Sequence, residues 1–227
     1  MPESSPFLSL RDGACEIYLI RHGDAAPAPE EFVAASYDEQ PLNARGREQS
    51  MALARHLQDV TFGALYSSPL RRCLETARPL AEMKAMPVTV VAGVREIIHG
   101  SDAQRTAEMS VADFAQAFRE GGARISAHAM RTGSFDGLPG VEPRADFRSR
   151  VRDALDELAA RHGGERIAVF AHGGVINVYA AVVLGLERDF FMPVPNTAIS
   201  RFRAQGGRRM LVALNDTCHL RALIRQR

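Results

Sequence analysis

The sequence predicts a three-layer α/β/α protein: a mainly parallel sheet, helices on both faces, and a helical insertion over one end. Three observations carry that prediction. Short apolar runs rich in β-branched and aromatic residues read as buried strands, above all Ile17-Tyr18-Leu19-Ile20 and Ile167-Ala168-Val169-Phe170-Ala171. These runs alternate with stretches of helical spacing, which implies parallel strands joined by helical crossovers. One stretch, residues 101–135, breaks the alternation without a strand of its own. The 227 residues suffice for one substantial domain, so we expect a single unit over 1–227 with an insertion at about 101–135.

The elements follow in order. Residues 1–14 form a loose leader, and the first strand covers about 16–20. Residues 24–44 are rich in Ala, Pro, Glu and Asp and have no clear period, so they form a loop over the site. A helix over 45–58 follows, with Met51, Leu53, Ala54 and Leu57 near helical spacing and Asn43 as its N-cap. Residues 62–66 form the second strand. Ser67-Ser68-Pro69 then supplies ordinary helix-start residues, and the helix carries Arg71, Arg72, Glu75 and Arg78 to about Met83. A third short strand covers 88–91, and Gly93-Val94-Arg95-Glu96 leaves its carboxyl end. Residues 101–135 are mostly polar or small, with scattered Phe and Met, and form an inserted helical segment closed by the Gly-Leu-Pro-Gly run at 137–140. The next helix covers about 143–162 and stops at Gly163-Gly164. The fourth strand is 166–171 and its helix 174–184. Two closing strands, 196–203 and 210–215, flank the turn Gln205-Gly206-Gly207.

Composition removes several classes. Hydrophobic residues at 46% and charged residues at 24% describe a soluble globular chain. A formal charge of +1 offers no global attraction for nucleic acid or an acidic membrane, so any anion preference must come from clustered arginines. Cys15, Cys73 and Cys218 form neither a disulfide framework nor a CxxC pair, and read as reduced packing residues. No apolar stretch is long enough to span a membrane and no signal-peptide core precedes the first strand, so the default location is cytoplasmic. No close ligand spacing marks a metal site. The sequence leaves the oligomeric state open, a homodimer being one state it allows.

The chemistry lies where strands end. In an open α/β sheet, ligands sit outside the carboxyl ends of the strands. There the sequence places Arg21 and His22; Ser67, Ser68 and Arg72; Glu96; and His172. His-Gly also occurs at His99-Gly100 and His162-Gly163, but only His22 and His172 directly follow strand-like runs. Convergence of that set meets the needs of phosphoryl transfer through phosphohistidine. A neutral imidazole attacks phosphorus, arginines neutralise phosphoryl oxygens, a second His donates a hydrogen bond, and a carboxylic acid protonates the leaving oxygen. Nearby arginines favour the neutral form of His22, and its other ring nitrogen needs a backbone partner. The N–H groups opening the helix at Gly174 add positive potential.

Three motifs carry a resemblance: Leu19-Ile20-Arg21-His22-Gly23, Ser67-Ser68-Pro69-Leu70-Arg71-Arg72 with Glu75-Thr76-Ala77, and Ala171-His172-Gly173-Gly174-Val175-Ile176. In that order, over about 16–215, the chain resembles the histidine phosphatase superfamily, the phosphoglycerate mutase-like group. The resemblance implies His22 as phosphorylated nucleophile, with Arg21, Arg72 and His172 completing the phosphate pocket. Glu96, in Arg95-Glu96-Ile97-Ile98-His99-Gly100, corresponds to the proton donor, with Asp24 as the substitute candidate. Gly23, Asn43, His99 and Gly173 are candidate pocket-lining residues. No metal or other cofactor is implied, and the partner is a small phosphorylated metabolite. The chain departs from the pattern at Asn43, where relatives often carry Thr, and at Asn177, where they often carry Arg.

Bland readings compete with these roles. Arg72 could pair with Glu75 on a solvated helix face, although we assign that position to Arg71. His162 reads as a helix C-terminal residue, and His56, His128 and His219 as surface or packing residues. The expected function is a phosphomonoester hydrolase acting through phospho-His22. The alternatives are a phosphoglycerate or phosphosugar mutase using the same intermediate, and a phosphate-ligand binding or regulatory module with a dead site.

Overall fold

The computed structural model describes residues 7–25, 39–97, 110–138 and 140–224. Six strands form one sheet in the order β3-β2-β4-β1-β5-β6. These are β1 (Cys15–Arg21), β2 (Ala64–Ser67), β3 (Val88–Val90), β4 (Arg166–Ala171), β5 (Ile199–Gln205) and β6 (Arg208–Asp216). The first four run parallel; β5 joins β1 antiparallel, and β6 joins β5 antiparallel. The sheet is therefore mixed but mainly parallel. The β5–β6 turn uses Gly206 and Gly207 at φ of 54° and 79°, the left-handed backbone that a two-residue hairpin turn requires.

Alternation along β1 and β4 builds two cores. Ile17, Leu19, Ile167, Val169 and Ala171 face one side, where α4 (Arg144–Arg161) and α5 (Gly173–Leu184) bring Phe147, Val151, Leu155, Val175 and Tyr179. Tyr18, Ile20, Ala168 and Phe170 face the other, against Leu53 of α1 (Ala44–His56), its C-cap Leu57, and Cys73 and Leu80 of α2 (Arg71–Lys84). Helices thus cover both faces, as expected. The inserted helix α3 (Val111–Thr132) joins the first core through Ala129. A short C-terminal helix, α6, covers Arg221–Ile224. Among the described residues, no helix is long and apolar enough to cross a membrane.

Of the two helix starts read from the sequence, one holds and one differs. Asn43 caps α1 as expected, its side chain accepting from Gly46 N at 2.8 Å. The start of α2 is different: the helix begins at Arg71 with Leu70 as N-cap and no side-chain cap. Ser68 lies two residues before that cap, where its hydroxyl serves His172 instead.

Candidate active site

Strand register brings the predicted residues together. Arg21 pairs with Ala171 across β1 and β4, so His22 and His172 emerge side by side, and His22 N donates to Ala171 O at 3.0 Å. Their ring centroids lie 5.3 Å apart, edge to face. Ser67 pairs with Phe170, which sets Ser68 beside His172 on the other flank. At this edge opens a cavity of about 730 Å³. Arg21, His22, Arg72 and Glu96 line it, with Asp24, Gln40, Arg124, Asn177 and Asn196 as further polar lining, while Ile125, Met130, Phe135, Phe190 and Met192 supply apolar wall. The inserted helix α3 contributes part of that wall, so the insertion borders the site.

His22 is buried, and its Nδ1 lies 2.7 Å from the Gly23 carbonyl. A carbonyl only accepts, so Nδ1 carries the hydrogen and Nε2 keeps its lone pair. Burial holds the pKa of His22 well below the usual imidazole value, with Arg72 and then Arg21 adding to the effect. The arginines do favour neutrality, but desolvation is the larger cause, which corrects the emphasis of the sequence reading. A neutral imidazole with a free Nε2 is the reactive form of a histidine nucleophile.

Arg72 is the large cation of the site and only 2% exposed. Its neighbour Arg71 takes the solvated position, paired with Glu75 at 2.7 Å. Arg72 Nη2 donates towards His172 Nδ1 at 3.4 Å, and His172 Nε2 donates to Ser68 Oγ at 2.8 Å. His172 is fully buried and its pKa is likewise held well below normal, first by burial and then by Arg72. Its Nδ1 faces Arg72 and its ring lies edge to face with that of His22, beside the cavity that Arg72 and His22 line. Cys73 packs on the same ring, its Sγ 3.4 Å from Nε2, and burial pushes its thiol up to about 12. Such a thiol stays protonated and fits the packing role assigned to it.

Glu96 sits at the mouth of α5. Its Oε2 accepts from Gly174 N at 3.1 Å and its Oε1 from Ile97 N at 3.0 Å. A Cβ at Gly174 would stand 2.2 Å from Glu96 Oε1, so glycine there makes room for the carboxylate. The N–H that the sequence assigned to an incoming anion is thus already engaged by Glu96. Arg150 of α4 fixes the segment beneath, donating to the carbonyls of Gly93 (3.0 Å), Arg95 (2.7 Å) and Glu96 (3.2 Å).

The candidate lining residues divide. Gly173 and Asp24 border the cavity. Gly23 and Asn43 are not among the described residues that line it, which corrects their assignment. Gly23 packs against the first turn of α1, where a Cβ would meet Gly46 O at 2.7 Å, and the Asn43 oxygen is spent on capping α1. His99 lies outside the described residues.

Sequence reasoning missed several supports. Thr76 Oγ1 accepts from Gly23 N at 2.9 Å and donates to Arg72 O at 2.6 Å, tying both halves of the site; it lies four residues after Arg72, on the same helix face. Asn196 Nδ2 donates to His22 O at 3.1 Å, and Thr197 N to Arg21 O at 3.1 Å. Asn177 holds residues 191 and 192, which border the cavity at Met192, through its side-chain oxygen at 3.2 Å each. No local pattern marks the Asn196, Thr197 or Arg150 contacts, which span the whole fold.

A mainly parallel sheet with two guanidiniums, a neutral strand-end imidazole and a carboxylate around one cavity defines an α/β phosphoryl-transfer enzyme. The chain belongs to the histidine phosphatase superfamily (branch 1), whose pattern matches residues 17–217. It is similar to Phosphoserine phosphatase 1 of Hydrogenobacter thermophilus, with 27% identity over 90% of this chain and 94% of that protein. It is also similar to the protein called Probable phosphoglycerate mutase GpmB of Salmonella choleraesuis, with 26% identity over 84% of this chain and 85% of that one. Among solved structures, Bacillus stearothermophilus YhfR shares the fold at a TM-score of 0.74 and 24% identity, covering 91% of this chain and all of that one (100%). The chain is accordingly a histidine phosphatase-type enzyme.

Proposed function

We propose that the chain hydrolyses phosphomonoesters through a phosphohistidine at His22, with substrates whose alcohol part carries apolar surface. The observation that carries this reading is the His22 ring: Nδ1 tied to Gly23 O, Nε2 free, and Arg21, Arg72 and Glu96 bordering the same cavity. Nε2 attacks phosphorus, and the bond to the ester oxygen breaks. Glu96 gives that oxygen its proton. Arg21 and Arg72 neutralise the phosphoryl oxygens. Water then attacks the phosphoenzyme, Glu96 takes its proton, and inorganic phosphate leaves. His172 positions Arg72 and completes the phosphate pocket beside it.

The substrate class follows from the walls. About 730 Å³ is in the range of sites for drug-sized ligands, more than a three-carbon phosphoester fills. Phosphoserine and 3-phosphoglycerate, suggested by the names of relatives, are therefore the first substrates to compare with larger, more apolar esters. A mutase would share every step up to the phosphoenzyme and return the group to a bound acceptor. The reading includes a cytoplasmic location, metal-independent catalysis and a homodimer, the last checked by light scattering.

Incubation with a phosphomonoester labelled on phosphorus tests it. Wild type is expected to carry acid-labile, base-stable label and to release phosphate; His22→Ala is expected to carry none. Absence of label and turnover in wild type would leave only a binding module. Interconversion of phosphoglycerate isomers faster than phosphate release would favour the mutase.

A further inference from the structure

A second cluster of chemistry-bearing side chains lies away from the cavity, where the C-terminal segment meets α1. His56 is the last residue of α1, Asp216 the last of β6, and Cys218 opens the turn at Cys218–Leu220. An imidazole nitrogen, a carboxylate oxygen and the thiol sulfur of these three lie within 4.8 Å of one another. We propose that His56, Asp216 and Cys218 form a binding site for a borderline transition-metal dication, zinc-like in chemistry, with solvent at the fourth position.

The geometry supports a metal over a coincidence of polar groups. Bonds of about 2.3 Å to sulfur and about 2.05 Å to nitrogen, at a tetrahedral angle, separate the two donors by about 3.6 Å. Cys218 Sγ and His56 Nε2 stand 3.7 Å apart. Asp216 and Cys218 are held on one side by a backbone bond, Cys218 N donating to Asp216 Oδ1 at 3.0 Å. The adjacent His219 ring stacks on His56 at 5.6 Å between centroids and 29° between planes, which restrains the ligand ring. Nitrogen, carboxylate and sulfur together select zinc-like ions over magnesium or calcium, which prefer oxygen alone. Binding breaks the S–H bond of Cys218, releases its proton to solvent and forms a metal–sulfur bond; His56 and Asp216 donate existing lone pairs. The ion would clasp the C-terminal turn to α1. His56 lies 162 residues before Cys218 in sequence, so no spacing motif announces the set.

Cobalt(II) titration of full-length, untagged, chelator-stripped protein tests the site. Wild type is expected to bind one equivalent, with a sulfur-to-cobalt charge-transfer band that excess zinc(II) removes. Cys218→Ser should lose the band, and His56→Ala should weaken cobalt binding at least tenfold. Zinc(II) should also raise the Tm of wild type by several degrees and leave that of Cys218→Ser unchanged. Unchanged phosphatase activity in the metal-free variants would show that they fold. No charge-transfer band in wild type at saturating cobalt, or a band retained in Cys218→Ser, overturns the proposal and leaves a thiol–imidazole contact.

Discussion

Replacing His172 with Asn isolates the electrostatic consequence of its position. The ring is fully buried with Arg72 at 3.4 Å, and its pKa is well below normal, mainly through burial. In the unfolded chain a histidine titrates near 6.5. Below that pH the unfolded chain takes up a proton that the folded chain refuses, so stability is fullest above about 6.5 and falls as pH drops towards the folded pKa. While the folded ring stays neutral, titration of the unfolded one costs on the order of 1 kcal/mol per pH unit below about 6.5. His22 follows the same sign and remains in the variant, so between pH 6 and pH 5 wild type should lose on the order of 1 kcal/mol more than His172→Asn. Urea unfolding followed by circular dichroism at each pH measures the difference. Lost packing lowers the variant's stability at all pH values without changing the slope. Parallel pH profiles for the two proteins would refute the argument, because they require a ring that protonates in the folded state.

Four further outcomes follow from the site. Glu96→Gln should slow alkyl phosphates far more than aryl phosphates, whose leaving groups need no proton; equal losses would remove Glu96 from the acid role. Gly174→Ala should mimic it, since the added Cβ would fall 2.2 Å from Glu96 Oε1 and displace the carboxylate; unchanged alkyl-phosphate kcat would show that Glu96 acts from elsewhere. Gly23→Ala, whose Cβ meets Gly46 O at 2.7 Å, should cost about 1–3 kcal/mol in urea unfolding and depress phosphoenzyme formation by moving the carbonyl that orients His22. Removing metals with a chelator should leave phosphate release unchanged, because guanidiniums supply the positive charge; a large loss reversed by added metal would contradict the mechanism.

Local sequence recorded the parts of this protein that local physics controls. The apolar runs at β1 and β4 and the hairpin glycines marked their elements because burial and backbone freedom act over a few residues. Polar residues directly after buried strands marked His22, and Arg72 followed from the strand-to-helix turn. The sequence reading makes Arg71 the solvated one of the two neighbours, but its pairing with Glu75 on the exposed face is known only from the structure. Asn43 shows where such reading stops: its capping role was visible, but not that it would stand outside the described lining of the cavity.

Sequence by itself therefore determined the α/β class, the order of the elements, and the strand-end imidazoles and guanidiniums that gather at one edge of the sheet. Only tertiary structure decided what each group faces. The β1–β4 register set the two rings side by side, and packing of α2 brought Arg72 within 3.4 Å of His172. Arg150 reaches the carbonyl of Glu96 from α4, and His56 meets Cys218 from α1, across separations that carry no periodic signal. The reason is range: propensity and periodicity act along the chain, whereas hydrogen bonds and desolvation depend on neighbours that folding alone supplies.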